Sequence, residues 1–275
     1  MSHQTTLAKS IAYTGIGLHS GKDVTITLHP AAADTGIVFV RTDLPGAPRV
    51  KAAAANVTST MRATTLEDGA AKVFTVEHLL AVFLAMGIDN CLIGITAAEP
   101  PVGDGSALPF VKMVEEAGIA ELSAPCRYAP LPTAQATRCP DKFIVILPYD
   151  GLRISFTSVN PHPLIGIQYG DFEITADTFI REIAPARTIG FMHEVEALQA
   201  QGLALGGSLE NAVVYDGDKI LTPLRFPDEL VRHKILDVLG DLALVGRIRG
   251  HVIAVKSSHA LNTALAKQIA ASAQM

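Results

Sequence analysis

The sequence predicts an α+β protein that consists of two related domains. Strand-like segments with alternating or continuous apolar residues occur in both halves of the chain. Each half also contains a helix, a strand, a short polar turn and a second helix in that order. The spacing from His78 to Ala107 nearly equals that from His233 to Ala260. This repeat favours a duplication, although a chain rich in Ala and Leu also produces such weak matches by chance. The predicted domains are residues 1–124 and 125–275.

The first half contains two helix signals among its strands. The segments VTITLHP (24–30), TGIVFVR (35–41) and NCLIGIT (90–96) have the composition of strands. A helix is predicted over 75–87, with Thr75 as its N-cap and Gly87 at its end. A second helix follows the Gly-rich turn at 103–107, with Pro109 in its first turn and Gly118 after its end.

The second half begins after a segment rich in proline, residues 120–140, which we interpret as a linker. The strand pattern then resumes, a short helix and a strand with a turn follow, and a long helix, a strand and a last helix close the chain. These predicted elements are, in order, KFIVILP (142–148), LRISFTSV (152–159), EVEALQAQG (194–202), AVVYDGDKI (212–220), ELVRHKILDVLGD (229–241), HVIAVKSS (251–258) and ALNTALAKQIAA (260–271).

Composition excludes several classes of protein. The chain has 275 residues, of which 49% are hydrophobic and 18% charged, so a large core is expected. A net charge of −5 argues against a general nucleic-acid binder. The longest apolar run, 79–88, is too short to cross a bilayer, so no transmembrane segment is expected. The first residues have no apolar signal core, and the three cysteines form no C-x-x-C pair, so we expect a reduced cytoplasmic protein.

The long helix at 229–241 carries a candidate metal site. His233, Asp237 and Asp241 follow one another at intervals of four residues and share one helix face. His233 and Asp237 can chelate one ion, and a catalytic zinc usually has three protein ligands. His78 is the best third ligand, because it opens the matching helix of the other half. Glu77 points about 100° away from His78 around that helix, which suits a general base acting on water.

Each of these residues also has an ordinary interpretation. A His-x-x-x-Asp pair on an amphipathic helix is usually a solvated face, and Glu77 near a helix start also complements the helix dipole. His78 is compatible with a hydrogen-bonded, partly buried histidine, and His259 with the start of a helix. For Asp104 in GDGSA, a turn residue is the interpretation that we favour.

Six motifs together resemble one protein family. They occur in its order and spacing over residues 7–267, and the family is the UDP-3-O-acyl-N-acetylglucosamine deacetylases, the zinc amidases of lipid A biosynthesis in Gram-negative bacteria. A single motif would be weak evidence, whereas six in order are specific and favour the metal interpretation. The motifs are GIGLHSGK (15–22), TVEHLLA (75–81), GDGSALPF (103–110), ARTIGFM (186–192), VRHKILDVLGD (231–241) and KSSHALN (256–262).

The resemblance implies a role for each matching residue. The zinc ligands would be His78, His233 and Asp237. Glu77 would be the general base, His259 the positively charged acid and Asp241 its carboxylate partner. Thr188 would donate to the oxyanion, and Lys234 would assist catalysis and contact the substrate. Further substrate contacts would come from Lys142, Lys256 and Ile189.

The resemblance also implies the architecture. Each domain would be a sheet layer packed on a helix layer, with the active site between the domains. A βαβ insert in the second domain, near residues 191–220, would shape an apolar passage for the acyl chain. Ile189 stands where family members commonly have Phe and Ser258 where they commonly have Gly. A monomer that binds a UDP-linked, acylated N-acetylglucosamine is expected.

Two other functions fit the same residues. One is a zinc amidase that acts on a different acylated amino-sugar nucleotide, which an assay with and without the O-acyl chain would distinguish. The other is a non-catalytic module that binds a sugar nucleotide or a lipid. Such a module would be expected to lack at least one of five residues: Glu77, His78, His233, Asp237 and His259. Iron(II) or cobalt also suits a His, His, Asp ligand set.

Overall fold

The computed structural model describes residues 2–131 and 133–272 of the chain. In this part of the chain the architecture is mixed α+β, with five sheets and six helices. The strands are β1 His3–Leu7, β2 Ile11–Ile16, β3 Asp23–Pro30, β4 Ile37–Arg41, β5 Arg49–Lys51, β6 Val57–Ser59, β7 Thr65–Asp68, β8 Ala71–Phe74, β9 Cys91–Ile95, β10 Ile119–Pro125, β11 Gln135–Cys139, β12 Lys142–Leu147, β13 Leu152–Val159, β14 Ile167–Glu173, β15 Ile189–Phe191, β16 Val213–Asp216, β17 Lys219–Ile220 and β18 Gly250–Val255. The helices are α1 Glu77–Met86, α2 Leu108–Ala117, α3 Ala176–Thr178, α4 Met192–Ala200, α5 Glu229–Leu242 and α6 His259–Ser272.

Two five-stranded sheets have the same topology. Their strand orders are β2-β3-β9-β4-β5 and β11-β12-β18-β13-β14. In both sheets the middle strand pairs in parallel with its neighbour on one side, β4 or β13, and every other pairing is antiparallel. The middle strand is preceded by one long helix, α1 or α5, and followed by another, α2 or α6. The chain therefore contains the repeated order of helix, strand and helix that the sequence predicts.

Helices α1 and α5 pack against each other at the centre of the molecule. One continuous apolar core includes residues of both helices and of both five-stranded sheets. Gly240 on α5 lies directly against the backbone of Glu77, so a side chain at position 240 would collide with the carbonyl of Glu77. At the other end of α1, Arg247 donates to the carbonyl of Gly87, 2.8 Å away, and to the carboxylate of Asp89. The start of α1 is thus packed closely on α5, and its end is bound to the segment that follows α5.

The ends of α1 differ in how well the sequence predicts them. Gly87 ends the helix in the left-handed conformation, as expected. The expectation that Thr75 is the N-cap is wrong, since the N-cap is Val76 and makes no side-chain capping bond. Thr75 instead has a φ of 56°, and its hydroxyl donates to the buried carboxylate of Glu99, 2.9 Å away. A tertiary contact has replaced the local cap.

The proposed linker at 120–140 is only partly irregular. It includes most of β10, which pairs with β1, and all of β11, which forms an edge of the second five-stranded sheet. The alternation of exposed and half-buried residues in β10 is a strand pattern that the prolines obscured. The other predicted helices and strands agree with the structure to within a few residues at their ends.

Residues 189–220 form a small unit of their own. The strands β15 and β16 are parallel with α4 between them, and β17 pairs with β16. A separate small apolar cluster, which includes Val213 and Tyr215, packs beneath them. Gly105 lies so close to Asn211 that a side chain at position 105 would collide with the backbone of Asn211. The unit is therefore held against the turn that precedes α2. Among the described residues, no helix combines the length and the apolar character needed to cross a bilayer.

Candidate metal centre and active site

The polar face of α5 is buried. His233 and Asp237 are each 4% exposed and Asp241 is fully enclosed, as are Val231 and Ile235 on the apolar face. The helix is thus covered on both faces, and the interpretation of its polar stripe as a solvated surface is wrong. Buried ionisable side chains require partners, because removal from water penalises their charged forms.

Two histidines and one aspartate converge at this face. One ligand atom from each of His78, His233 and Asp237 lies within 4.8 Å of the others. The Nε2 atoms of His78 and His233 are 4.0 and 3.5 Å from Oδ1 of Asp237. All three side chains are buried. The structure therefore brings together, from α1 and α5, the three residues predicted as metal ligands.

The surroundings of these three residues suit a zinc ion. Nδ1 of His233 lies 3.1 Å from the carbonyl oxygen of Ala186, which can only accept, so Nδ1 carries the proton and Nε2 keeps its lone pair. Burial lowers the pKa of His233, and burial together with His233 lowers the pKa of His78 to about 3, so both rings are neutral. Burial raises the pKa of Asp237, but the neighbouring cations, chiefly Lys234, lower it by more, so the carboxyl is ionised. Two neutral imidazoles and one carboxylate are a donor set that zinc accepts.

Lys234 contacts this group directly. Its Nζ donates to Oδ2 of Asp237, 2.8 Å away. Because Oδ1 is the oxygen near the two histidines, the carboxylate has one oxygen turned toward them and the other held by Lys234. Lys234 thus orients a predicted ligand in addition to being near the site.

Glu77 lies beside the group, at the start of α1. Its side chain is buried, and burial raises its pKa to about 7. Oε1 is 3.8 Å from Nε2 of His259, the first residue of α6. A carboxyl whose pKa lies near neutrality can both accept and return a proton at physiological pH.

His259 forms a pair with Asp241. Its Nδ1 is 2.8 Å from Oδ2 of Asp241. Burial lowers the pKa of His259, but Asp241 and Glu77 outweigh burial and raise it to about 10. The imidazole is therefore a cation at neutral pH and is able to donate a proton.

Thr188, Ile189 and Asp104 make contacts of their own, outside the His–His–Asp group. Thr188 follows Ala186 by two residues, and its backbone N–H donates to the carbonyl of Gly105, 2.9 Å away. Ile189 is half-buried at the start of β15 and packs on the small apolar cluster. Asp104 is the turn residue that we favoured, since it accepts from Ser106, and it also binds Arg225.

Lys142 and Lys256 lie at one end of two adjacent strands. Lys142 begins β12, and Lys256 follows β18, where Phe143 pairs with Val255. Lys256 has a φ of 52° and forms an ion pair with Asp141. Within the described residues, neither lysine hydrogen-bonds to the His–His–Asp group. Lys256 comes three residues before His259 in the chain.

Several residues of the site were missed from the sequence. Thr64 and Asn262 both donate to the carboxylate of Asp241. Asn262 follows His259 by three residues on α6, so helical spacing was a signal for it. Thr64 comes from the turn before β7 and had no such signal. A buried ion pair, Arg187–Glu229, fixes the backbone beside Ala186 to the first turn of α5.

Comparison with known proteins identifies the family. The family model described as UDP-3-O-acyl N-acetylglycosamine deacetylase, LpxC, matches residues 4–271. The chain belongs to this family. The resemblance drawn from the six motifs is thereby confirmed.

Individual deacetylases of the family are similar over nearly their whole length. The UDP-3-O-acyl-N-acetylglucosamine deacetylase of Anaeromyxobacter dehalogenans (strain 2CP-C) is 47% identical over 98% of this chain and 88% of its own length. That of Hahella chejuensis (strain KCTC 2396) is 43% identical over 98% of this chain and 91% of its own. That of Geotalea uraniireducens (strain Rf4) is 47% identical over 95% and 86%.

Proposed function

We propose that this member of the LpxC family is a zinc-dependent hydrolase that removes the N-acetyl group from UDP-3-O-acyl-N-acetylglucosamine. The products are acetate and the free amine, and the reaction is an early committed step of lipid A biosynthesis. The observation that carries the proposal is the convergence of His78, His233 and Asp237 with a buried carboxyl, Glu77, beside them. The names of the full-length relatives supply the substrate.

The proposed architecture is a pair of related domains, residues 1–124 and 125–275, each a sheet layer packed on a helix layer. The equal strand order of the two five-stranded sheets supports this division. The site lies between the domains, because α1 and α6 supply Glu77 and His259 from the two halves. The unit near 191–220 is the insert of the second domain, and it lines the passage for the acyl chain.

His78, His233 and Asp237 are the residues that would hold zinc. When bound there, zinc supplies Lewis-acid polarisation of a carbonyl and lowers the pKa of water. The neutral rings of both histidines and the ionised carboxyl of Asp237 support this assignment. The contacts of Ala186 with His233 and of Lys234 with Asp237 keep the donor atoms turned toward one another.

Glu77 accepts the proton of the attacking water. A general base is most effective when its pKa is near the working pH, and burial gives Glu77 a pKa of about 7. Glu77 precedes His78 directly in α1, which supports a role beside the metal group and not as a ligand. A water between Glu77 and the acetyl carbonyl would lose its proton to Glu77 as its oxygen attacks the carbonyl carbon.

His259 donates a proton to the leaving amine. As a cation it stabilises negative charge on the carbonyl oxygen, and it gives a proton to the amine, which leaves poorly without one. Asp241 keeps His259 charged and oriented through the 2.8 Å hydrogen bond to Nδ1, so that Nε2 remains the donor. The distance of 3.8 Å between Nε2 of His259 and Oε1 of Glu77 supports action of both groups on the same amide.

The other residues contact the substrate. Thr188 donates a hydrogen bond to the developing oxyanion, and Lys234 contacts the sugar beside the metal group. Lys142 and Lys256 bind the charged part of the nucleotide, which their position at the end of two adjacent strands supports. Ile189 lines the acyl passage in place of an aromatic ring.

A single pair of measurements tests the proposed function. Glu77→Gln is expected to retain zinc but to lose deacetylation by about 100-fold or more, because the carboxamide cannot accept the proton. Metal analysis and an acetate-release assay on the same preparations separate the two effects. Near-normal turnover with full zinc content would show that Glu77 is not the base.

A second assay addresses the substrate. The enzyme is given UDP-3-O-acyl-N-acetylglucosamine and, in parallel, the same sugar nucleotide without its O-acyl chain. The proposal expects a marked preference for the acylated compound. Equal rates, or activity confined to a different amino-sugar nucleotide, would favour the alternative amidase.

A further inference from the structure

The carboxylate of Asp241 is enclosed by three donors. It is fully buried, and its Oδ2 binds His259 and the amide of Asn262, at 2.8 and 2.9 Å. Its Oδ1 accepts from the hydroxyl of Thr64, 2.5 Å away. Among the described residues, the hydroxyl of Thr64 is the one hydrogen-bond donor to Oδ1. A buried carboxylate oxygen that accepts no hydrogen bond carries a desolvation penalty, so the bond from Thr64 stabilises the ionised form of Asp241.

Thr64 also binds Glu77. Its backbone N–H donates to Oε2 of Glu77 at 3.1 Å, while Oε1 of the same carboxyl faces Nε2 of His259. Thr64 itself is fully buried, in the turn that leads into β7. One residue that belongs to neither α1, α5 nor α6 therefore contacts both Glu77 and the partner of His259.

We propose that Thr64 is a positioning residue that sets the placement of Glu77 relative to the Asp241–His259 pair, through its N–H on one side and its hydroxyl on the other. The inference rests on the proposed function, in which Glu77 accepts the proton and His259 donates one. These two groups come from helices in different halves of the chain, and buried Thr64 contacts the arrangement on both sides. Displacements of a fraction of an ångström are enough to slow proton transfer between fixed groups.

The chemistry of threonine suits this position. A β-branched side chain has few accessible rotamers in a buried site, so the hydroxyl is aimed at Asp241 before the substrate binds. Serine retains the same donor with a less restricted torsion. Valine has the same shape but no donor, and alanine removes the donor without requiring space for a methyl group. These three replacements separate the hydroxyl from the volume of the side chain.

The experiment compares Thr64→Val, Thr64→Ala and Thr64→Ser with a matched control, Thr65→Val. Thr65 is also buried and comes next in the chain, but its hydroxyl makes no hydrogen bond to the site in the described part of the molecule. Zinc content, thermal midpoint, kcat and KM are measured for each full-length protein. If Thr64→Val does not fold, Thr64→Ala provides the same comparison.

The expected result is a fall in kcat of about 10-fold or more in Thr64→Val and Thr64→Ala, since each loses a hydrogen bond to a charged group. KM and zinc content stay close to those of the wild type, Thr64→Ser recovers most of kcat, and Thr65→Val keeps it within about 2-fold. A kcat within about 2-fold of wild type in both Thr64→Val and Thr64→Ala would overturn the proposal, even if the thermal midpoint falls. An equal loss in Thr64→Ser would also overturn it, because the hydroxyl would then not be responsible.

A double-mutant cycle with Asp241→Asn tests the route of the effect. If Thr64 acts through Asp241, the double variant Thr64→Ala/Asp241→Asn loses little more kcat than Asp241→Asn alone. Multiplicative losses would show that Thr64 acts elsewhere. Full activity of Asp241→Asn and of Glu77→Gln would instead reject the proposed roles of those residues, which distinguishes failure of the proposed function from failure of this inference.

Discussion

Asp241 and His259 are joined by a 2.8 Å hydrogen bond in which a fully buried carboxylate holds a histidine in its charged form. The two residues come from α5 and α6, and their pairing raises the pKa of the imidazole to about 10 against the opposing effect of burial. Glu77, on the far side of the ring, has a pKa of about 7 because it is buried. The site thus contains a buried carboxyl and a buried imidazole with well-separated pKa values, and the imidazole has the higher one.

The first prediction concerns the dependence of the rate on pH. The proposed mechanism requires deprotonated Glu77 and protonated His259, so kcat/KM should be bell-shaped, with its acidic limb near pH 7 and its basic limb near pH 10. Asp241→Asn removes the charge that favours the imidazolium. The pKa of His259 then falls, and the basic limb should move to lower pH together with a lower maximal rate.

A full pH–rate profile of Asp241→Asn beside the wild type and His259→Ala checks this prediction. Zinc content should be the same in all three proteins. A basic limb that does not move in Asp241→Asn would show that Asp241 does not control the proton of His259. Wild-type rates in His259→Ala would remove His259 from the mechanism.

The second prediction concerns metal binding. A ligand that binds only the folded protein stabilises it, by about 2.7 kcal/mol when its concentration is 100 times the dissociation constant. Zinc should therefore raise the thermal midpoint of the metal-free wild type and leave that of His233→Ala unchanged. The matched control is His29→Ala, whose exposed imidazole bonds only to Ser10 among the described residues. A zinc-dependent rise of normal size in His233→Ala would place the metal elsewhere.

The third prediction is that Gly240→Ala is destabilising. In an ordinary helix interior this replacement stabilises by roughly 0.5–1 kcal/mol. Here the new methyl group would collide with the backbone of Glu77, so α1 and α5 must move apart. We expect a loss of about 1–3 kcal/mol in the free energy of unfolding, as for overpacked cores, and a lower kcat. Denaturant unfolding and kinetics on one preparation check it, and increased stability with full activity would contradict it.

The fourth prediction concerns the buried pair Arg187–Glu229. Burial raises the pKa of Glu229, but hydrogen bonds from Arg187 and from the Arg225 backbone outweigh it and the net pKa is lowered. A lowered carboxyl pKa stabilises the fold above the ordinary pKa of the group, and that stabilisation is lost as the pH falls through the folded value. Glu229→Gln should therefore cost about 3 kcal/mol at pH 7, and the difference from wild type should shrink in acid.

Urea unfolding at several pH values measures this difference. The control is Asp177→Asn, which breaks the largely exposed pair Arg181–Asp177 and should change stability little. A difference between Glu229→Gln and wild type that stays constant down to pH 3 would show that the charge of Glu229 is not the source of the stabilisation.

The helical spacing of the sequence predicts much of the site. Intervals of four residues place His233, Asp237 and Asp241 on one face of a helix whatever surrounds it, because the backbone alone sets that geometry. The repeated order of helix, strand and turn predicts His78 as the third ligand, because His78 has the matching position in the first half of the chain. Glycine signals for the ends of α1 and α2 also depend only on backbone conformation, and Gly87 and Gly118 lie where they were expected.

Other features depend on contacts between segments that are far apart in the chain. The sequence does not say whether the polar face of α5 meets water or protein. The structure answers this, because α1 packs on α5 at Gly240. Thr75 looked like a helix cap, yet its hydroxyl binds Glu99, 24 residues away. Thr64 reaches Asp241 across 177 residues of chain. By itself, then, the sequence determined the helices, the repeat and the family, which follow from local periodicity and motif order. Only the tertiary structure decided which polar side chains are removed from water, and that removal produces the separated pKa values of Glu77 and His259.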